Sequence, residues 1–195
     1  MRMIWLWACL GAAPFAASAE PVRYTLDPAH TYPSFEADHL GISTWRGKFE
    51  RSRGHVVLDR AAGTGSVEVE VEVASIAFGL AAMDEKARSA ELFDVARFPR
   101  ATYRGRLEGF VAGAPTRAVG TLTLHGVEQP LTLEIESLRC IPHPLDQREL
   151  CGADLSGTLR RDAFGIDAGK DYGFDMTVSL RIQAEAVRDA GTDAP

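Results

Sequence analysis

Histidine, cysteine, arginine and scattered aromatic residues are the side chains here that could do chemistry, and their spacing narrows what kind. The five histidines, His30, His39, His55, His125 and His143, are dispersed, with no near neighbours at metal-ligand spacing. There is no Gly-x-Ser-x-Gly nucleophile elbow, no His-Glu-x-x-His and no phosphate loop. Asp38 stands beside His39, but adjacent residues on a strand face apart, so the two form no dyad.

His39 is the most informative of the five. In Ser34 to Leu40, Phe35, Ala37 and His39 share one face, and Glu36 and Asp38 share the other. An imidazole on an apolar face can be satisfied by a backbone carbonyl, or can donate to a carbonyl or phosphate of a ligand. Arg46, Lys48 and Arg161 could contact an anionic head group, arginine in bidentate fashion, or form a solvated face. Phe35, Phe49, Phe98, Tyr103, Phe164 and Phe174 are candidates to line an apolar channel, with plain core filling as the alternative for each.

The elements that carry these residues are strands. In Ser66 to Ile76, Val67, Val69, Val71 and Val73 alternate with Glu68, Glu70 and Glu72. Only a strand sorts that pattern onto a dry face and a wet face, and one-sided sheets are antiparallel. Phe174 to Val187 repeats it, with Phe174, Met176, Val178, Leu180, Ile182, Ala184 and Ala186 on one face. Further strands are expected at 22–26, 34–40, 45–51, 55–59, 101–109, 119–124, 131–136 and 154–161. Those at 45–51 and 55–59 read equally as one strand bent at Gly54. Ala82 to Ala90 breaks the pattern with good helix formers and predicts a short surface helix ending near Leu92. About eight substantial strands, each with one apolar face, predict a sandwich or a closed barrel with no internal domain boundary.

The chain has 195 residues, 46% hydrophobic and 25% charged, which suits one domain with a sizeable core. A formal net charge of −6 argues against a nucleic-acid partner. Residues 1–19 read as a secretory signal. Arg2 is the basic start, Ile4 to Phe15 the apolar run and Ala17-Ser18-Ala19 the cleavage site before Glu20. The apolar run is too short to span a membrane, and Leu6-Trp7-Ala8-Cys9 is a poor lipobox. Residues 191–195 are expected to be a frayed tail. Two cysteines remain, Cys140 and Cys151. An even pair in an exported chain suggests a disulfide across the base of a Pro-containing loop. The competing metal site of Cys140, His143 and Cys151 lacks a fourth ligand.

Several local runs, in order, resemble the YceI-like family of lipocalin-like proteins. They are Asp27-Pro28-Ala29-His30-Thr31, Phe35 to Gly41, Trp45 to Phe49, Glu91 to Val95 with Arg97-Phe98-Pro99, Gly120 to Val127, and Arg160 to Gly165. The sequence has Met83-Asp84 where many members carry an Arg-Asp pair, and only some members share the Cys140–Cys151 loop. The resemblance implies an all-β, extended eight-stranded antiparallel barrel over residues 20–190 with one short helical segment and a long apolar channel. It implies a periplasmic binding protein or carrier for an isoprenoid lipid, either a polyprenyl chain or an isoprenoid quinone, and homodimers are common among members. His39, Phe35, Arg46, Phe49, Phe98, Tyr103, Arg161, Phe164 and Phe174 are then the expected ligand contacts. No metal, catalytic group or other cofactor is expected, and no membrane span. An enzyme acting on such a lipid, and a ligand-free structural or stress-response protein, are the competing readings.

Overall fold

The computed structural model describes residues 20–191. The expected signal segment 1–19 and, apart from Gly191, the expected tail lie outside the described residues.

Eleven strands follow one another as β1 (Val22–Leu26), β2 (Tyr32–His39), β3 (Ser43–Phe49), β4 (Ser52–Asp59), β5 (Thr64–Glu72), β6 (Ile76–Ala77), β7 (Arg100–Glu108), β8 (Arg117–Leu124), β9 (Val127–Pro142), β10 (Glu149–Arg160) and β11 (Thr177–Arg188). A single α-helix, α1 (Ala81–Arg88), separates β6 from β7. Eight of the strands close an antiparallel ring, in the order β1-β4-β5-β7-β8-β9-β10-β11 and back to β1. β11 serves two partners along one edge. Ala186 to Arg188 pair with β1, and Val178 to Gln183 pair with β2. The β2–β3 hairpin and β6 therefore extend the wall upward at one end, where Phe49 meets Ile76.

The valine strand explains why the wall has two characters. Val67, Val69 and Val71 face the interior. Glu68 pairs with Arg104 at 2.8 Å, Glu70 with Arg100 at 3.3 Å and Glu72 with Arg51 at 2.7 Å, all outside. Such exposed pairs contribute about 0–1 kcal/mol each, so burial of the other face dominates.

Several boundaries differ from the sequence reading, the helix for one ending at Arg88 rather than near Leu92, and four of them have a local reason. The valine strand stops at Glu72, and Val73–Ser75 is a 3-10 turn. There the Ser75 hydroxyl donates to the Glu72 carbonyl at 2.6 Å and accepts from the Arg51 N–H at 3.0 Å, which competes with the ladder. The break between β3 and β4 falls at Glu50-Arg51 rather than at Gly54. Gly54 sits inside β4, where a Cβ would lie 2.1 Å from the Glu68 carbonyl oxygen. β9 and β10 run past both cysteines, so the expected loop shrinks to a turn closed by the His143 N–H on the Arg148 carbonyl at 2.7 Å. Cys140 and Cys151 are direct cross-strand partners and are joined by a disulfide, Cα to Cα 4.0 Å. That bridge consumes the thiolates a metal site would need. The final strand begins at Thr177 and not at Phe174, because Asp175 takes the Thr177 N–H at 2.8 Å and donates its own N–H to Asp38.

Candidate functional site

The inner faces enclose a cavity of about 510 Å³ that runs most of the length of the barrel. That volume lies within the usual range for a small-molecule site. At the lower end Tyr24, Leu58, Leu107 and Ala118 line it, and all four are less than a tenth exposed. At the upper end His39, Trp45, Phe78 and Phe174 line it and are only half-buried. The mouth is therefore the end that carries the β2–β3 hairpin, α1 and the loop before β11.

Aromatic rings run from that mouth down one wall. Phe174 meets His39 edge-on at 5.3 Å between centroids, and His39 stacks on Trp45 at 4.6 Å. Trp45 meets Phe78, Phe78 meets Phe35 at 5.5 Å, and Phe35 meets Phe49 at 5.7 Å. Gly47 makes this possible, since a Cβ there would stand 2.6 Å from the Phe35 ring. α1 closes part of the same end by contributing Met83 and Lys86. Arg88 pins it to the wall by donating to the carbonyls of Ala74 at 2.8 Å and Ile76 at 3.0 Å.

The deeper polar groups are already satisfied. Tyr103 shares its hydroxyl proton between the carbonyls of Ala118 at 3.0 Å and Leu131 at 3.2 Å, and burial pushes the phenol up to about 12. Thr31 donates to the Glu185 carbonyl and accepts from the Glu185 N–H. At the mouth the position is different. The His39 ring makes no hydrogen bond among the described residues. Arg161 donates one bond, to the Ile166 carbonyl at 2.9 Å, and has no ion-pair partner among the described residues. The neighbouring Asp162 is committed to Arg160 at 2.8 Å and Lys170 at 2.9 Å, which hold its carboxyl far below the usual carboxylate range. Burial pulls the Arg161 guanidinium down, while Asp162 and Asp167 act the other way from a distance.

His39 and Arg161 both line the cavity at its mouth. The Arg161 N–H donates to the Met176 carbonyl at 2.9 Å, and the β2–β11 ladder runs as far as Ala37↔Val178, two residues short of His39 and of Met176.

Of the nine expected contacts, Phe35, His39, Phe49, Tyr103, Arg161 and Phe174 line the cavity. Three do not. Arg46 lies on the outer face and pairs with Glu36 at 2.8 Å, because its neighbours Trp45 and Gly47 take the inner positions of β3. Phe98 packs on His125, outside the cavity wall. Phe164 is buried in a separate cluster with Val73, Ala101 and Leu124. Lys48 covers the Tyr32 ring at 4.6 Å, also outside. Trp45, Phe78, Met83 and Phe93 are lining residues that the sequence reading left out. Trp45 was within reach, two positions from Phe49 on one strand face. The other three sit beyond the 3-10 turn, where alternation no longer tells inside from outside.

The YceI-like domain matches residues 24–186 of this sequence. The chain belongs to the YceI-like family. A UPF0312 protein of Enterobacter sp. (strain 638) is 31% identical over 193 residues, covering 96% of this chain and 98% of that one. A UPF0312 protein of Vibrio cholerae is 28% identical over 184 residues, covering 93% and 94%. Among solved structures, the fold is similar to the Campylobacter jejuni YceI protein, with TM-score 0.65 at 22% identity, covering 78% of this chain and 90% of that one. It is similar also to a polyisoprenoid binding domain from Saccharophagus degradans implicated in plant cell wall breakdown, with TM-score 0.62 at 16% identity, covering 86% and 99%. The match to these YceI-like barrels is one of fold. No helix among the described residues is long and apolar enough to cross a membrane.

Proposed function

We propose that this YceI-like barrel is a periplasmic binding and carrier protein for an isoprenoid lipid, whose chain fills the cavity and whose polar head lies between His39 and Arg161. The observation that carries this reading is the distribution of polar groups. The deep hydroxyls of Tyr103 and Thr31 are tied to the wall, and the unspent donors stand at the mouth. An apolar tail gains about 0.8 kcal/mol per buried CH₂ without directional contacts. A quinone carbonyl or a phosphate would then meet an imidazole N–H and a guanidinium able to fork onto it. A family relative whose fold is similar carries the name polyisoprenoid binding domain, which favours the same ligand class.

An enzyme acting on that lipid is the competing reading, with His39 as its base; turnover of the lipid that His39→Ala abolishes would favour it. A ligand-free barrel would be packed solid, whereas this one encloses about 510 Å³. Periplasmic placement is part of the proposal. The signal-like residues 1–19 and the cross-strand disulfide support it.

Mass spectrometry of lipid extracted from the native protein is expected to yield a prenyl chain. His39→Ala is expected to weaken an isoprenoid with a polar head by about 1–2 kcal/mol, the value of one hydrogen bond, and to leave a headless hydrocarbon of equal length nearly unchanged. Equal losses for both ligands would make His39 a wall residue only. Absence of binding to the delipidated protein would remove the carrier reading.

A further inference from the structure

Four large apolar side chains stand in solvent around the cavity mouth. Leu40 is 46% exposed, Ile42 81%, Leu80 62% and Tyr172 81%. Each lies two or three residues, or fewer, from a ring of the mouth: Leu40 follows His39, Ile42 precedes Trp45, Leu80 follows Phe78 and Tyr172 precedes Phe174. At about 3.3–3.6 Å per residue, all four stand close outside that aromatic ring. Each also neighbours a glycine in left-handed backbone, Gly41, Gly79 or Gly173. A Cβ at any of these three glycines would meet nothing within 4 Å. The tips therefore stand in solvent within three residues of side chains that line the cavity mouth.

We infer that this rim is a docking surface for a lipid bilayer, from which the cavity is loaded and into which it is emptied. The inference rests on the carrier reading, because a prenyl chain has its reservoir in a membrane and must pass this rim to reach the cavity. The charged groups within three residues of the tips are Asp38, Asp171 and Asp175 against Lys170. The mouth adds Arg161, unpaired among the described residues, and Lys86, which is paired with Glu91, so the rim stays slightly acidic. That balance offers no attraction to anionic head groups. Docking then works by shallow burial of side chains at the head-group boundary and needs only neutral lipid. The opposite end also exposes Val111 and Leu145, at 66% and 90%, but there the cavity is shut by Tyr24, Leu58 and Leu107. Those tips serve as the control.

The test uses the secreted chain, the Ile42→Ser/Leu80→Ser/Tyr172→Ser variant and the Val111→Ser/Leu145→Ser control. Flotation with phosphatidylcholine vesicles is measured at low and high salt, and transfer of a prenyl lipid out of the vesicles is measured in parallel. The parent and the control are expected to float equally, without salt dependence. The rim variant is expected to lose about tenfold or more in vesicle association and in transfer rate. Its affinity for a short, water-soluble prenyl alcohol, read by Trp45 emission, is expected to be unchanged, which also shows that it is folded. Three results would overturn the inference: parent protein that does not float, rim variant that floats as well as the control, or flotation that requires anionic lipid and is abolished by salt. A parent dimer that the rim substitutions dissociate, with no vesicle binding, would assign the rim to a second copy of this chain and overturn it too. Parent protein that floats but takes up no prenyl alcohol would leave the docking surface standing and remove the carrier reading instead.

Discussion

Gly54 and His30 show how much a single residue decides in this wall. Gly54 lets β4 and β5 approach to a distance that no side chain tolerates, with Glu68 O 2.1 Å from the site of a Cβ. Gly54→Ala is expected to destabilise the protein by about 1–3 kcal/mol or more in urea melts. Gly152→Ala, whose Cβ would make an ordinary contact at 3.7 Å with the Glu185 side chain, is expected to be nearly neutral. His30 tests electrostatics at the corner between β1 and β2. Its Nδ1 lies 2.7 Å from the Asp27 carboxylate, which raises the imidazole above its usual 6.5 and lowers Asp27 below its usual 3.8. The raised imidazole contributes stability that is complete below 6.5 and vanishes as pH climbs through the folded value. The lowered carboxylate contributes above 3.8 and loses that contribution as acid titrates it. His30→Ala is therefore expected to lower the melting temperature near pH 5 and to leave it unchanged near pH 9. An equal drop at both values would assign the effect to packing. His39 marks the limit of reading at this scale. Its place on the apolar face was visible in alternation, but its stacking on Trp45 and its share of one cavity mouth with Arg161 depend on how distant strands assemble.

Alternation made the strands legible, and it failed wherever a side chain competed with the ladder. Val67, Val69 and Val71 were assigned to the inside from sequence and lie there. Val73 was placed on the same strand, yet the Ser75 hydroxyl turns the chain first. Val73 and Ile76 are instead the two largest fully buried side chains, at 1% and 0% exposure, under the turn that leads to α1. Ile76→Ala is expected to cost about 2–5 kcal/mol through the void it leaves. Glu72→Gln, on the wet face of the same segment, is expected to cost less than about 0.5 kcal/mol despite its pair with Arg51. Similar losses from the two substitutions in denaturant melts would reverse the assignment of faces. The cysteine hairpin was misread for the opposite reason. Pro142, Pro144 and Asp146 carry strong turn signals, and they concealed that β9 continues to Pro142 and β10 resumes at Glu149.

For the molecule as a whole, counting one-sided strands left a sandwich or a closed barrel and the YceI-like resemblance pointed to the barrel, whereas ring closure was not legible in the strand pattern. It requires β1 to find β11, with Leu26 opposite Ala186. The cavity was invisible for a related reason: the same apolar inner faces fill a solid core or enclose a hollow one, depending on side-chain reach across the barrel. The disulfide acts at this scale, joining strands that are already hydrogen-bonded neighbours near the closed end. Reduction, or Cys140→Ser with Cys151→Ser, is expected to lower stability by no more than about 2–3 kcal/mol, since the short loop it closes limits the entropy removed. Prenyl-ligand affinity is expected to survive, because His39 and Arg161, the proposed head-group contacts, lie at the other end. Loss of ligand binding without unfolding would show that the bridge shapes the cavity floor.

The double duty of β11 also imposes an order in time. A nascent chain leaves the ribosome N-terminus first, and β11 lies C-terminal to β10, β1 and β2, all of which pair with it. Until Thr177–Arg188 has emerged, the earlier strands can form only two separate open ribbons, β1-β4-β5-β7-β8-β9-β10 and β2-β3-β6, and no enclosed space exists. Arrival of this last strand, the joining of the two ribbons and the closure of the cavity are therefore the same event.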